Sequence, residues 1–393
     1  MTNTTLKSGA EALSETLIDI RRHLHRHPEL SNEEYETTKY LISLLEEAGV
    51  TIVDYGLKTG VIAEVGGLQG GPVIALRADI DALPIQEETG LPYASLYPGK
   101  MHACGHDFHT AALLGAVYQL KQQESQLKGT VRFLFQPAEE KAKGAQQVID
   151  SGALEGVRAV IGMHNKPELP VGTIGIKSGP LMAAADGFAV EIKGSGSHAA
   201  VPETSVDPIV AASHIVAALQ SIVSRNVSAL HSAVISVTQI HSGNSWNIIP
   251  DTAVLEGTIR SFDEAVRSTV LKRFEQVAAG VAAAFGAEAR VRWIGGPPPV
   301  INDALLAQLG EETSAVLGYT SVKPVPSPAG EDFAFYQRVV PGLFVFMGTA
   351  GSREWHHPAF ELDESALPVA SAFFTGLAVR VLEHFSSEGG AGA

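Results

Sequence analysis

Apolar positions recur at helical spacing over residues 10–27 and again over 33–48, where Gly49 stops the pattern. Two short apolar runs bounded by glycine follow, GVIAEVGG at 60–67 and PVIALRA at 72–78, and these read as strands. The alternation continues with a helix over 107–121, the strand TVRFLFQ at 130–136, a helix near 141–151 and the strand RAVIGMH at 158–164. Late in the chain, GLFVFMG at 342–348 is a further strand. Alternation of this kind predicts a sheet with a parallel part and covering helices.

The pattern changes near residue 184. GFAVEIKGSGSH (187–198) reads as a strand leaving into a glycine-serine loop, and residues 206–225 form an amphipathic helix. AVISVTQIHSG (233–243) and TAVLEGTIRSF (252–262) are paired strands, 263–285 is helical, and AEARVRWIG (287–295) is a last strand. The order β-α-β-β-α-β is the ferredoxin-like split unit, here an insertion of about 110 residues. The proline-rich stretch Gly295–Val300 marks the return to the first domain.

A chain of 393 residues has length for two domains and a large core. A formal net charge of −15 argues against nucleic acid or an anionic membrane as partner, since both call for basic surface. One cysteine cannot form an internal disulfide, which fits a reducing compartment. The start, MTNTTLKSGAEALSETL, lacks the apolar core of a signal peptide, and no apolar run approaches membrane-spanning length. The expectation is a cytoplasmic protein with a disordered SSEGGAGA tail.

Residues 101–109 read Met-His-Ala-Cys-Gly-His-Asp-Phe-His and contain the single cysteine. The spacing lets the Cys104 thiolate and the His106 ring converge on one ion, with Gly105 permitting the turn between them. Taken alone, the segment reads equally well as a buried apolar cysteine near unrelated histidines. Other ligand-type residues collect where strands end. Asp79 and Asp81 follow the strand ending near Ala78, and Glu139 and Glu140 follow Pro137. His164 ends its own strand, and His356 and His357 lie in the loop after 342–348. Ligands of open α/β sheets bind outside the carboxyl ends of strands. Each residue alone also reads as a helix cap, a solvated pair or an edge histidine. Four such exits together point to a metal site.

The segments RADIDALP, MHACGHD, FQPAEE, GMHN, SHAAVP, WNIIP, AGEDFA and EWHHPAF occur in that order. Through them the chain resembles the dinuclear-metal aminoacylase and amidohydrolase peptidases. The branch is that of hippurate hydrolases and indoleacetyl-amino-acid hydrolases, with bacterial N-acetyl and N-acyl amino acid hydrolases nearest in motif. The resemblance implies an α/β catalytic domain, residues 1–183 and 294–393, with a mixed, partly parallel sheet covered by helices. It also implies an inserted ferredoxin-like α+β lid and dimerisation domain at 184–293. Cys104 would bridge two divalent ions per subunit, with His106 and His164 completing one and Glu140 and His356 the other. Glu139 would be the general base. Where the wider family carries a His-x-Asp pair, this chain reads Asp79-Ile80-Asp81, so His106 takes the metal and Asp81 is an orienting carboxylate. The family's last ligand precedes proline by two residues, which selects His356 over His357. His198 would polarise the scissile carbonyl, in its own subunit or its partner's, and Asn247 and Arg260 would hold substrate. His102 and His109 read as structural, and Glu331 has no assigned role.

The implied activity is hydrolysis of N-acyl-L-amino acids, carrying acetyl or aromatic acyl groups, to a carboxylic acid and a free amino acid. A thiolate favours zinc, while carboxylate and imidazole also accept manganese, cobalt or nickel. A homodimer or higher homo-oligomer is expected from the resemblance. The alternatives are a dipeptidase or carboxypeptidase of the same family, a cysteine-nucleophile amidase, and a non-catalytic ligand-binding protein.

Overall fold

A computed structural model describes residues 3–66 and 71–390. The chain divides into two compact units. The first holds the chain up to Gly179, Ile301–Val325 and the chain from Asp332 onward; the second holds Pro180–Val300 and Pro326–Glu331. The second unit thus reaches beyond 184–293. Segment 326–331 joins it because Ala183 N donates to Ser327 O at 3.0 Å and Ser327 N to Leu181 O at 2.8 Å.

The first unit is built on an eight-stranded mixed sheet. Its centre is four adjacent strands in the order Thr130–Gln136, Val73–Asp79, Val157–Lys166 and Gly342–Gly348, each parallel to the next. Val61–Gly66 and Thr51–Ile52 extend one side antiparallel, while Thr173–Gly175 and Thr320–Val322 extend the other. Thr130–Gln136 and Gly342–Gly348 are buried at every position. Parallel strands covered on both faces have no solvent side, which is why they read as largely apolar runs without polar alternation. Asp79 lies beside Gln136, and His164 beside Phe346. The carboxyl ends are therefore close to level, and their loops leave the sheet side by side.

Helix His106–Gln122 packs on Val73–Asp79 and on Ala366–Gly390. The crossing is close because Gly115 has no side chain: a Cβ there would sit 2.4 Å from Ser371 Oγ and 2.8 Å from Leu17 Cδ1. Ala366–Gly390 is apolar nearly all round, so it carries no amphipathic signal in the sequence. It continues to Gly390, so the tail expected to be disordered is helical through that residue, and 391–393 lie outside the described residues. The apolar stretch read as 10–27 is two helices, Asn3–Ala12 and Ser14–Arg26. By length and composition, Pro208–Asn226 and Ala366–Glu388 would both reach across a membrane, contrary to expectation; 67% of the second one's apolar window is buried inside the protein.

The second unit has a four-stranded antiparallel sheet in the order Ala233–Ser242, Thr252–Ser261, Ala184–Lys193, Glu288–Ile294. Helices Pro208–Asn226 and Glu264–Ala284 pack on it through Ile215, Leu219, Val270 and Phe274. Numbered along the chain the strands lie 2-3-1-4, the ferredoxin-like arrangement. Asp207 and Asp263 cap the two helices by accepting backbone N–H groups.

Asp107, in the first turn of His106–Gln122, anchors that helix. It accepts from Arg21 Nε at 3.0 Å and His25 Nδ1 at 2.9 Å, all three groups being buried. Burial opposes its charge, yet Arg21 and the His25 hydrogen bond hold the carboxyl well below the usual carboxylate range. Such a depressed group contributes stability above the unfolded-state pKa of about 3.9, and that contribution is lost as pH falls through the folded value. Asp107→Asn leaves the buried Arg21 guanidinium with Glu364 and Tyr93 as its remaining partners, and should cost about 1–3 kcal/mol at neutral pH. Urea unfolding from pH 7 down through the acid range should show the gap between variant and wild type closing below about pH 4.

Candidate metal centre

The loops leaving the four parallel strands bring Cys104, His106, Glu140, His164 and His356 together. Cys104, His106 and His164 form one group and Cys104, Glu140 and His356 another, each with ligand atoms within 4.8 Å of one another. Cys104 Sγ is 3.4 Å from His164 Nε2, and Glu140 Oε1 is 3.5 Å from His356 Nε2. His106 Nε2 and Glu140 Oε1 lie 3.9 Å apart, and both are buried without a hydrogen bond among the described residues. Buried polar atoms are normally satisfied, so two orphans facing each other call for a cation between them.

The imidazoles are aimed from behind. His106 Nδ1 donates to the backbone O of Asp81 at 2.9 Å, and His164 Nδ1 to the backbone O of Asn165 at 2.9 Å. Each ring thereby turns Nε2 into the cluster. One sulfur, three imidazole nitrogens and a carboxylate oxygen suit divalent transition-metal ions. The charge points the same way. Burial works against a proton on His106, but Asp79, Asp81 and Glu140 push it up to about 10. Burial, followed by Glu140 and Glu139, pushes the Cys104 thiol well up. Without a cation His106 and Cys104 therefore favour their protonated forms, which a divalent ion would displace.

Asp81 holds the carboxylate loop. Its Oδ1 accepts from Glu139 N and its Oδ2 from Glu140 N, both at 3.1 Å, and Ser31 Oγ donates to it at 2.6 Å. Glu139 Oε1 accepts from Asp332 N at 3.3 Å, and a Glu139 carboxylate oxygen lies within 4.8 Å of ligand atoms of His106 and Glu140. Asp79 is engaged by Arg77 at 2.8 Å and His109 at 2.6 Å, so a buried guanidinium already balances it. His102 is buried, and burial brings it down to about 4. Sequence reasoning passed over Arg77, Glu34, Asn165 and Trp355. Buried polar residues inside apolar strands or loops carry no periodic signal; the arginine inside strand Val73–Asp79 was the one available hint.

The cluster stands on strained backbone. Ala138 (φ 53°) and Ala142 (φ 51°) bracket Glu139–Lys141, and His356 has φ 65°. Left-handed backbone costs a residue with a Cβ roughly 1–2 kcal/mol. Ala138 is held by its N–H to the buried Glu34 at 2.9 Å, and His356 by its N–H to Ala103 O at 2.8 Å. His357 points elsewhere and accepts Ala359 N on its own Nδ1 at 3.0 Å.

His198, Asn247 and Arg260 belong to the second unit. His198 pairs with Ile248, Ala199 N donates to Asn247 O at 3.0 Å, and His198 lines a hollow of about 790 Å³ with His241 and Asn244. Ala200 N donates to His198 Nδ1 at 3.1 Å, which leaves the ring proton on Nε2 as a donor. Arg260 is half-buried and hydrogen-bonds the neutral oxygens of Thr258 and Ile259, while Asp186 is taken by Arg267 at 2.6 Å.

Residues 75–380 match Peptidase family M20/M25/M40. The chain is 56% identical to an N-acetylcysteine deacetylase of Bacillus subtilis (strain 168), covering 95% of this chain and 98% of that one. It is 40% identical to an IAA-amino acid hydrolase of Arabidopsis thaliana, covering 93% and 86%. The crystal structure of the Bacillus subtilis YXEP protein, a dinuclear metal binding peptidase from the M20 family, superposes with a TM-score of 0.87. It is 53% identical, with 95% of this chain and 99% of that chain covered.

Strain at the carboxylate loop makes a prediction of unusual sign. Ala142→Gly should raise stability by roughly 0.5–1 kcal/mol, because relief of the left-handed alanine exceeds the added freedom of the unfolded chain. Chemical denaturation of the metal-free chain measures it; a lower midpoint would mean the strain is absent.

Proposed function

The chain belongs to peptidase family M20/M25/M40, and we propose on that premise that it hydrolyses the amide bond of N-acyl-L-amino acids, releasing a carboxylic acid and a free amino acid. It is a metal-dependent amidohydrolase. The observation that carries the reading is the pair of orphaned ligand atoms on His106 and Glu140, set in a sulfur, imidazole and carboxylate cluster. Acetyl groups are favoured by the likeness to an N-acetylcysteine deacetylase, and indoleacetyl or other aromatic acyl groups by the likeness to the plant hydrolase.

In this proposal Cys104, His106 and His164 would hold one ion, and Cys104, Glu140 and His356 the other. Divalent ions held there, zinc or manganese first and cobalt or nickel as alternatives, would supply water of lowered pKa and positive charge for the developing oxyanion. Glu139 would accept a proton from the attacking water and return it to the leaving amine. Its neighbour Glu140 is committed to the cluster, so adjacent carboxylates divide the work. Asp81 keeps both in place through their backbone N–H groups. His198 donates from Nε2 to the carbonyl oxygen as charge develops. Asn247 and Arg260 hold the carboxylate of the amino acid half, a role for which a planar fork is suited.

The lid and dimer belong to the same proposal. Ala233–Ser242 is an edge strand with an unpaired side, and Val234 (53%), Ile240 (57%) and Trp246 (94%) are exposed on or near it. Such an edge is a ready template for a second copy. A cytoplasmic location goes with a thiolate that must stay reduced. A cysteine nucleophile would leave the gathering of Glu139, Glu140 and His164 beside Cys104 and His106 without a role.

The test is a panel of N-acetyl, N-benzoyl and indoleacetyl amino acids, with dipeptides, assayed with zinc, manganese, cobalt and nickel. Hydrolysis of dipeptides alone would move the enzyme to the dipeptidases. Glu139→Gln should retain metal while activity falls by roughly 10²–10⁴-fold. Loss of metal in that variant, with retention in Glu140→Gln, would exchange the two roles. Arg260→Ala should raise KM more than it lowers kcat, because the carboxylate it reads is present in ground and transition states alike. Wild type should discriminate against the corresponding amino acid amides and the variant much less; equal rates on acid and amide in wild type would remove Arg260 from recognition.

A further inference from the structure

Asn165 follows His164 at the end of strand Val157–Lys166 and is fully buried. It touches every segment that carries a ligand of the Cys104 and His164 side. Its Nδ2 donates to Cys104 O at 2.6 Å. Its backbone N donates to His109 Nε2 at 2.9 Å, which assigns the His109 proton to Nδ1 and the bond to Asp79. Its backbone O accepts from His164 Nδ1. Trp355 Nε1 donates to both the backbone O and Oδ1 of Asn165, each at 3.2 Å. Trp355 adjoins His356, and its ring packs on His164 with centroids 4.4 Å apart. The amide is thus used at both ends, as donor toward the cysteine loop and acceptor toward the histidine loop.

Gly105 is cut to match. It has φ 87°, and a Cβ there would lie 2.4 Å from Asn165 Nδ2 and 3.1 Å from its Cγ. The glycine therefore does more than permit a turn, since it leaves the volume the amide occupies.

We infer that Asn165 is a positioning residue that ties the Cys104 loop, His164 and the loop of His356 into one frame, and so sets where the Cys104 sulfur meets a bound ion. This rests on the metal reading proposed above. The surrounding shell of such sites orients the ligands, and its loss typically costs roughly 10–100-fold in metal affinity. An ordinary buried amide would lower stability without altering how sulfur meets metal.

The experiment uses the full chain with cobalt(II) as the only added metal. The thiolate-to-cobalt absorption band reports Cys104, and competition against a chromophoric chelator gives affinity. Asn165→Asp keeps size but sets an acceptor against Cys104 O and His109 Nε2. It and Asn165→Ala should weaken cobalt binding by roughly 10–100-fold and shift or weaken the band. Trp355→Phe keeps a ring on His164 and removes only the donor, so it should move both readouts the same way by less, and it carries the test if Asn165 variants do not fold. Wild-type affinity and an unchanged band in the folded variants would overturn the inference, whatever the change in melting temperature. Wild type that takes up cobalt without a thiolate band, or takes up none, would instead overturn the metal reading, and this inference with it.

Discussion

A guanidinium sealed inside the central sheet organises the site. Arg77 is fully buried, with one nitrogen 2.8 Å from Asp79 and another 2.8 Å from Asp332. Its Nε donates to Gln136 at 2.8 Å, across the neighbouring strand. One branch runs from Asp79 through His109 and Asn165 to the Cys104 carbonyl. The other runs from Asp332, which accepts Ala145 N and whose own N–H reaches Glu139. Asp79 is held well below its usual range by His106 and Arg77 against burial, whereas burial drives Asp332 up to about 6 despite the same arginine. Paired charges of this kind contribute little net stability, but removing one member leaves buried charge unbalanced. Their use here is geometric, because the carboxylate loop and the cysteine loop share one origin.

That arrangement explains why strain is tolerated. Ala138, Ala142 and His356 hold backbone conformations that glycine would adopt more easily. Two of them are held by a neighbour, Ala138 by Glu34 and His356 by Ala103. The opposite solution is used at Gly105, where the side chain is given up because an amide fills its place. The proposed ligands are consequently set by carbonyls and carboxylates behind them, which suits an ion with strict distance demands.

The elements with a strong period were legible in the chain. The buried parallel strands appear as apolar runs at 130–136 and 342–348, and the β-α-β-β-α-β order of the second unit could be read from alternating periods. Ala366–Gly390 was not, since a helix apolar all round has no moment. Ala304–Leu317 had readable ends, an Asp303 cap and a Gly318 stop, but lies between weakly patterned segments. Edge strands of two or three residues, such as Thr173–Gly175, exist only because a longer neighbour pairs with them.

By itself the sequence determined which residue types stand at which strand exits. Cys104, His106, Glu139, Glu140, His164 and His356 are chemical identities, and their positions relative to apolar runs and breakers are local facts. Only the tertiary structure decided that the four exits are adjacent and level, since strand order and register depend on pairings between residues far apart in the chain. It also brings the His356 ring to Glu140, at a left-handed residue, while His357 accepts a backbone N–H from Ala359. The roles of Arg77, Asn165 and Trp355 emerge only there, because a buried hydrogen bond is a relation between distant partners and leaves no trace in either partner's local pattern.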